Sequence, residues 1–224
     1  MWLLITRGPT LFKFKMDSLF EQLKHPNPNL RDRAMVEIAE SQDENTIPRL
    51  MSLLGEEDVV YRRAAVKTLG VIGFDAVPPL VDSLVASENV VVKASCGKAL
   101  AQIAVNYPNV PFPEDAMAGL KATVDDPNPV VHLVSVMALG AIGTQALDIL
   151  VETLETTENI SVAVAIINAL GSITEEKAMT VLTALSNDES KDPYIQESAK
   201  SAASRLDQLR GFKSVTSQRQ EKNN

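Results

Sequence analysis

YRRAAVKTLGVIG, residues 61–73, decides the fold, because the chain repeats it. Moved forward 31 residues it meets VKASCGKALAQIA at 92–104. A further 39 brings VHLVSVMALGAIG at 131–143, and another 31 brings VAVAIINALGSIT at 162–174. Moved back by 31 it meets LRDRAMVEIAESQ at 30–42. The Pro-Asn-Pro turn in HPNPNLR (25–31) and in DPNPVVH (126–132) recurs because the whole unit recurs.

The columns of this alignment carry physical meaning. Asn27, Asp58, Asn89, Asn128 and Asn159 share one column, just before an apolar periodic segment. Asn and Asp are preferred helix N-caps, so five helices are predicted to start there. Pro28 and Pro129 follow at the first helical position, where a missing N–H costs nothing. Ala39, Gly70, Ala101, Gly140 and Gly171 form a small-residue column that lets helices approach closely.

Before each cap lies another helix, with apolar residues three and four apart: Leu19, Phe20, Leu23; Leu50, Leu53, Leu54; Leu80, Val81, Leu84; Leu120, Val124; Leu150, Val151, Leu154. A weaker sixth unit follows, with Met179, Leu182 and Leu185 and a second helix near 194–209. A single helix pair cannot bury its own apolar face, so the pairs stack. The expected fold is all-α, an α-solenoid of about six short helix–turn–helix repeats.

The unit length and the pattern DxxxRRAAxxxLGxIG (58–73) resemble HEAT repeats, and the style of YRRAAVKTLGVIG and VSVMALGAIG is similar to that of the phycobilisome (phycocyanobilin) lyase family of cyanobacteria and red algae. The likeness spans about 17–175 strongly and 176–209 weakly. It implies a scaffold acting in bilin attachment or detachment, or in chaperoning phycobiliproteins. It also implies a transient phycobilin rather than a permanent cofactor. The implied partners are a phycobiliprotein subunit or a second HEAT-type lyase chain. The alternative is a non-catalytic adaptor for a cofactor assembly factor, such as an iron–sulfur protein.

The remaining features bound these readings. The chain of 224 residues is 45% hydrophobic but only 4% aromatic, so its core is aliphatic. A net charge of −8 disfavours non-specific binding to nucleic acid or anionic membrane. One cysteine excludes an internal disulfide and fits a reducing, cytoplasmic setting. Trp2–Ile5 is too short for a signal-peptide core or a membrane span. Residues 1–16 are expected to be a flexible extension, 17–210 the solenoid and 211–224 a disordered tail.

Two histidines and one cysteine cannot build a usual structural zinc site, and neither a phosphate loop nor a nucleophile elbow is present. Catalytic residues are therefore unassigned, and whether the chain is an enzyme is left open. Candidate sites come from columns instead. Arg31, Arg62, Lys93 and His132 align four residues after the caps. They are either an internal ladder or a basic binding stripe. Beside them run Asp32, Arg63, Ala94, Leu133, Val164 and then Val36, Lys67, Lys98, Met137, Asn168. The second helices of repeats four and five have no Lys, Arg, Asp or Glu across 130–142 and 160–173.

A groove along the second helices thus changes from basic (Arg62, Arg63, Lys67, Lys93, Lys98) through His132 to apolar (Leu133, Met137, Val164, with Asn168). That suits an amphipathic ligand: an acidic partner helix, or an open-chain tetrapyrrole with propionates. The third repeat is longer by a proline-rich stretch, VNYPNVPFPED (105–115), whose Tyr107 and Phe112 either reach a partner or tuck onto adjacent helices. Cys96 falls in a small or apolar column and is expected inside.

Overall fold

The computed structural model describes residues 9–221. Twelve α-helices pair in chain order: α1 (Pro9–Gln22) with α2 (Pro28–Glu40), α3 (Thr46–Ser52) with α4 (Val59–Ile72), α5 (Val77–Ala86) with α6 (Val90–Asn106). Then come α7 (Glu114–Thr123) with α8 (Pro129–Ile142), α9 (Leu147–Thr156) with α10 (Ile160–Leu170), and α11 (Glu176–Asn187) with α12 (Pro193–Glu221). No strand occurs among the described residues. The result is an all-α solenoid of six helix pairs.

The five expected caps form. Asn27 accepts from the Asn29 N–H at 3.0 Å and Asp58 from Val60 at 2.8 Å. Asn89 accepts from Val91 at 2.9 Å, Asn128 from Val130 at 3.0 Å and Asn159 from Ser161 at 3.0 Å. Each satisfies a donor that the first helical turn leaves orphaned.

The second helices form a continuous layer, α2 on α4, α4 on α6, α6 on α8, α8 on α10 and α10 on α12. The small-residue column makes this approach possible. A Cβ at Gly140 would lie 2.8 Å from that of Ala169 on α10. Between the two helices of each pair lies the aliphatic core. Phe20, Leu50, Leu80, Leu84, Leu120 and Leu150 come from the first helices, and Leu23 and Leu54 from the turns that end α1 and α3; Ile38, Leu69, Leu100, Leu139 and Leu170 come from the second. All are fully buried. Outside, exposed ion pairs link successive first helices, Lys121–Glu152 and Lys177–Asp148 at 2.6 Å each. Such pairs contribute about 0–1 kcal/mol apiece.

The boundaries differ from expectation at both ends. Helix α1 begins at Pro9, ahead of the expected boundary at 16; residues 1–8 lie outside the described residues. Helix α12 continues to Glu221, where a disordered tail was expected. Beyond Gly211 that segment holds no proline and several good helix formers, so nothing local stops the helix. The stretch 129–156 has the length and apolarity of a membrane span, but half of it is buried here. Gly143, at φ +77°, ends α8, and a 3-10 turn over Gly143–Ala146 separates it from α9.

Candidate binding face of the second-helix layer

The ladder column divides into members that hold the fold. Arg31 Nη1 donates to the carbonyls of His25 at 2.5 Å and Pro26 at 3.0 Å. Arg62 Nη1 donates to the Glu56 carbonyl. Both guanidiniums thus tie the second helix to its own entry turn. Lys93 reaches the next repeat, with its ammonium 2.7 Å from Asp126 Oδ2, and both side chains are mostly buried. Burial works to raise the Asp126 carboxyl; the Lys93 ammonium and the Asn128 N–H outweigh it and hold it below the usual value.

His132, fourth in the column, is 7% exposed and its Nε2 has no hydrogen-bond partner among the described residues. Burial lowers the imidazole below its ordinary value, against the opposing pull of Asp125 and Asp126. Cys96 is fully buried, and burial pushes its thiol up to about 12. A thiol held there is neither ionised nor accessible, so it offers nothing to an iron–sulfur partner.

The neighbouring columns stay on the surface. Arg63 and Lys67 on α4 and Lys98 on α6 are exposed and make no ion pair among the described residues. Arg63 and Lys67 border a crease of about 280 Å³ shared with Arg31, Asp32, Met35 and Val60. On α8, Leu133 is 44% and Met137 50% exposed. On α10, Val164 is half-buried and Asn168 exposed. Of the ten groove candidates, Arg63, Lys67, Lys98, Leu133, Met137, Val164 and Asn168 therefore reach one face. Arg62, Lys93 and His132 are drawn into the joints behind it.

One row was missed in the sequence. Val60, Val91 and Val130, two residues after their caps on α4, α6 and α8, are each more than 40% exposed. Their shared column was the available signal. The face is thus basic on α4 and α6 and uncharged on α8 and α10, with valines along its edge. Exposed apolar residues grouped in this way mark interaction surfaces.

The proline-rich insertion folds back. Tyr107 donates its hydroxyl to the Val71 carbonyl at 2.5 Å, and its ring meets Phe74 edge-on at 6.1 Å. Phe112 is buried against the same Phe74, 5.2 Å between centroids. Gln145 grips the Phe112 backbone twice, accepting from its N–H at 2.9 Å and donating to its carbonyl at 2.8 Å.

Comparison with known proteins adds lineage to this geometry. The family described as HEAT repeats matches residues 16–101 and 117–203. Phycocyanin operon protein Z of Pseudanabaena tenuis (strain PCC 7409) is 50% identical over 198 residues, covering 88% of this chain and 98% of that protein. Bilin biosynthesis protein CpeZ of Synechococcus sp. (strain WH8020) is 35% identical over 184 residues, covering 80% and 98%. Among solved structures, the complex of CpcE and CpcF of phycocyanin lyase from Nostoc sp. PCC7120 matches at 17% identity. Its TM-score is 0.48, with 70% of this chain and 98% of that one covered.

Proposed function

Because the chain belongs to the HEAT-repeat proteins, in the phycobilisome-lyase family, we propose that it is a binding scaffold for bilin attachment to phycobiliproteins or for their chaperoning. One observation carries the reading: the exposed face of the second helices changes from basic to apolar between α6 and α8. An open-chain tetrapyrrole has the same division. Its propionates pair with Arg63, Lys67 and Lys98, and its ring edges lie on Leu133, Met137 and Val164.

The rate gain in such a scaffold comes from orientation. Holding the tetrapyrrole beside an acceptor thiol of a phycobiliprotein turns a bimolecular encounter into a positioned one, which is worth several kcal/mol of barrier. No general acid or base on the scaffold is required for that gain. The acceptor subunit, and a second HEAT-type chain on the same face, are the partners this arrangement serves.

The test is affinity capture from a cyanobacterial lysate with wild type and the Arg63→Glu/Lys67→Glu variant in parallel, read by mass spectrometry. Phycobiliprotein subunits or a second HEAT-type chain should come down with wild type and be depleted with the variant. Equal recovery on both, or neither protein on wild type, would sink the proposal.

A further inference from the structure

The first turn of an α-helix favours acidic residues, because that end carries partial positive charge. Three of the first helices follow this: α7 opens on Glu114 and Asp115, α9 has Asp148 and α11 has Glu176. The second helices α4, α6, α8 and α10 have no acidic residue in that turn. Their first two residues hold Val59 and Val60, Val91, Val130 and Ile160, each more than 40% exposed. Tyr194, 62% exposed, holds the matching place on α12, two residues after the Asp192 carboxylate that accepts from its N–H. An exposed valine there packs little and forgoes the dipole interaction, so the fold alone gains little from this row.

The turns beside the row supply charge of one sign. Glu57, Glu88, Asp125 and Glu158 stand just before it, exposed and in no ion pair among the described residues. The cations behind them are engaged, Arg62 on the Glu56 carbonyl and Lys93 on Asp126. One turn further along the helices stand Arg63, the buried Ala94, Leu133 and Val164, so the inner side offers a single charge. The row is apolar along its length and acidic along its outer flank.

Its backbone selects the form of an occupant. Asp58 accepts from the N–H groups of Val60 and Tyr61, and Asn89 from those of Val91 and Val92. Asn128 accepts from Val130, and Asn159 from Ser161 and Val162. An extended segment laid here would find those donors occupied. A helix satisfies its own backbone and needs none of them.

We propose that this row docks an amphipathic helix of a partner protein, apolar along one stripe and basic along the flank that faces the turns. Neighbouring packed helices lie about 8–10 Å apart, and seven residues of an α-helix advance about 10 Å. A helix laid across the second helices sets apolar residues seven apart on Val60, Val91, Val130 and Ile160 in turn. Lysines or arginines beside that stripe meet Glu57, Glu88, Asp125 and Glu158, which fixes its register and direction. Toward the entry of α12 the row runs into a crease of about 160 Å³ bordered by Ile160 and Ile195. The row lies at the edge of the open face and uses none of the groups assigned to the bilin, so neither reading requires the other.

The test titrates the ¹⁵N-labelled full chain with a capped peptide of three heptads, leucine at each a and d position and lysine elsewhere. One control has glutamate in place of lysine; the other keeps the composition but scatters the leucines round the helix. The basic peptide should shift the amides at the entries of α4, α6, α8 and α10 saturably, with both controls weaker by about tenfold or more. Val60→Ser/Val91→Ser/Val130→Ser and, separately, Glu57→Gln/Glu88→Gln/Glu158→Gln should each weaken binding by about tenfold at unchanged helix content. All six positions are exposed, so neither set disturbs the core. Binding by either control as tight as by the basic peptide would overturn the proposal. So would no binding, shifts confined to other surfaces, or unchanged affinity in either variant. Shifts at the same entries on concentrating the chain alone would assign the row to a second copy, overturning a basic helix as its occupant.

Discussion

His132 holds the fourth place in a column whose other members are permanent cations, and it is buried with no partner for Nε2 among the described residues. Its folded-state affinity for protons is depressed, with burial the main cause. The unfolded chain therefore binds the proton more readily. The stability that neutral His132 allows is fully present above about pH 6.5 and is lost as pH falls through the lower folded value. Urea unfolding at pH 7.5 and 5.5 should show a loss in wild type that is smaller in His132→Leu; an equal loss in both would contradict this. At Gly140 the limit is steric. Its Cβ position lies 2.8 Å from the Ala169 Cβ, so Gly140→Val should destabilise by about 1–3 kcal/mol through overpacking of α8 on α10. Denaturant midpoints at constant m-value measure it.

Elements here are joined mainly by side chains that bind backbone. Gln145, in the turn after α8, clamps Phe112 in the insertion before α7. Gln145→Ala should cost about 1–3 kcal/mol for the two bonds and should speed protease cleavage within 105–113. Limited proteolysis with fragment masses tests it, and unchanged cleavage would show that the aromatic contacts alone hold the loop. Such joints mark the limit of what the sequence discloses. The caps at Asn27, Asp58, Asn89, Asn128 and Asn159 act on N–H groups two or three residues away, so their column exposed them. The small column was legible for the same reason, since helix spacing constrains every repeat alike. Arg31 and Arg62 could be seen as cations but not as carbonyl donors, because residue type does not say which backbone groups lie in reach. The clamp by Gln145 spans 33 residues and belongs to one repeat only, so periodicity offered no signal.

Across the whole molecule, the repeat serves two purposes with adjacent columns. One column turns inward: Arg31 and Arg62 tie a second helix to its own entry turn, and Lys93 ties one repeat to the next. The exposed positions beside it vary freely: Arg63 and Lys67 on α4, Lys98 on α6, Leu133 and Met137 on α8. A solenoid allows this separation because each repeat contacts only its neighbours, so the outer positions carry little of the fold. The most direct measurement is a visible-absorbance titration of a free phycobilin with wild type, Arg63→Glu/Lys67→Glu, Leu133→Asp/Met137→Asp and, as an outer-surface control, Lys177→Glu. The account predicts a red-shifted or sharpened band with wild type and control, and affinity reduced by about tenfold or more in both face variants. No band change with wild type, or the same change in all four proteins, would contradict it.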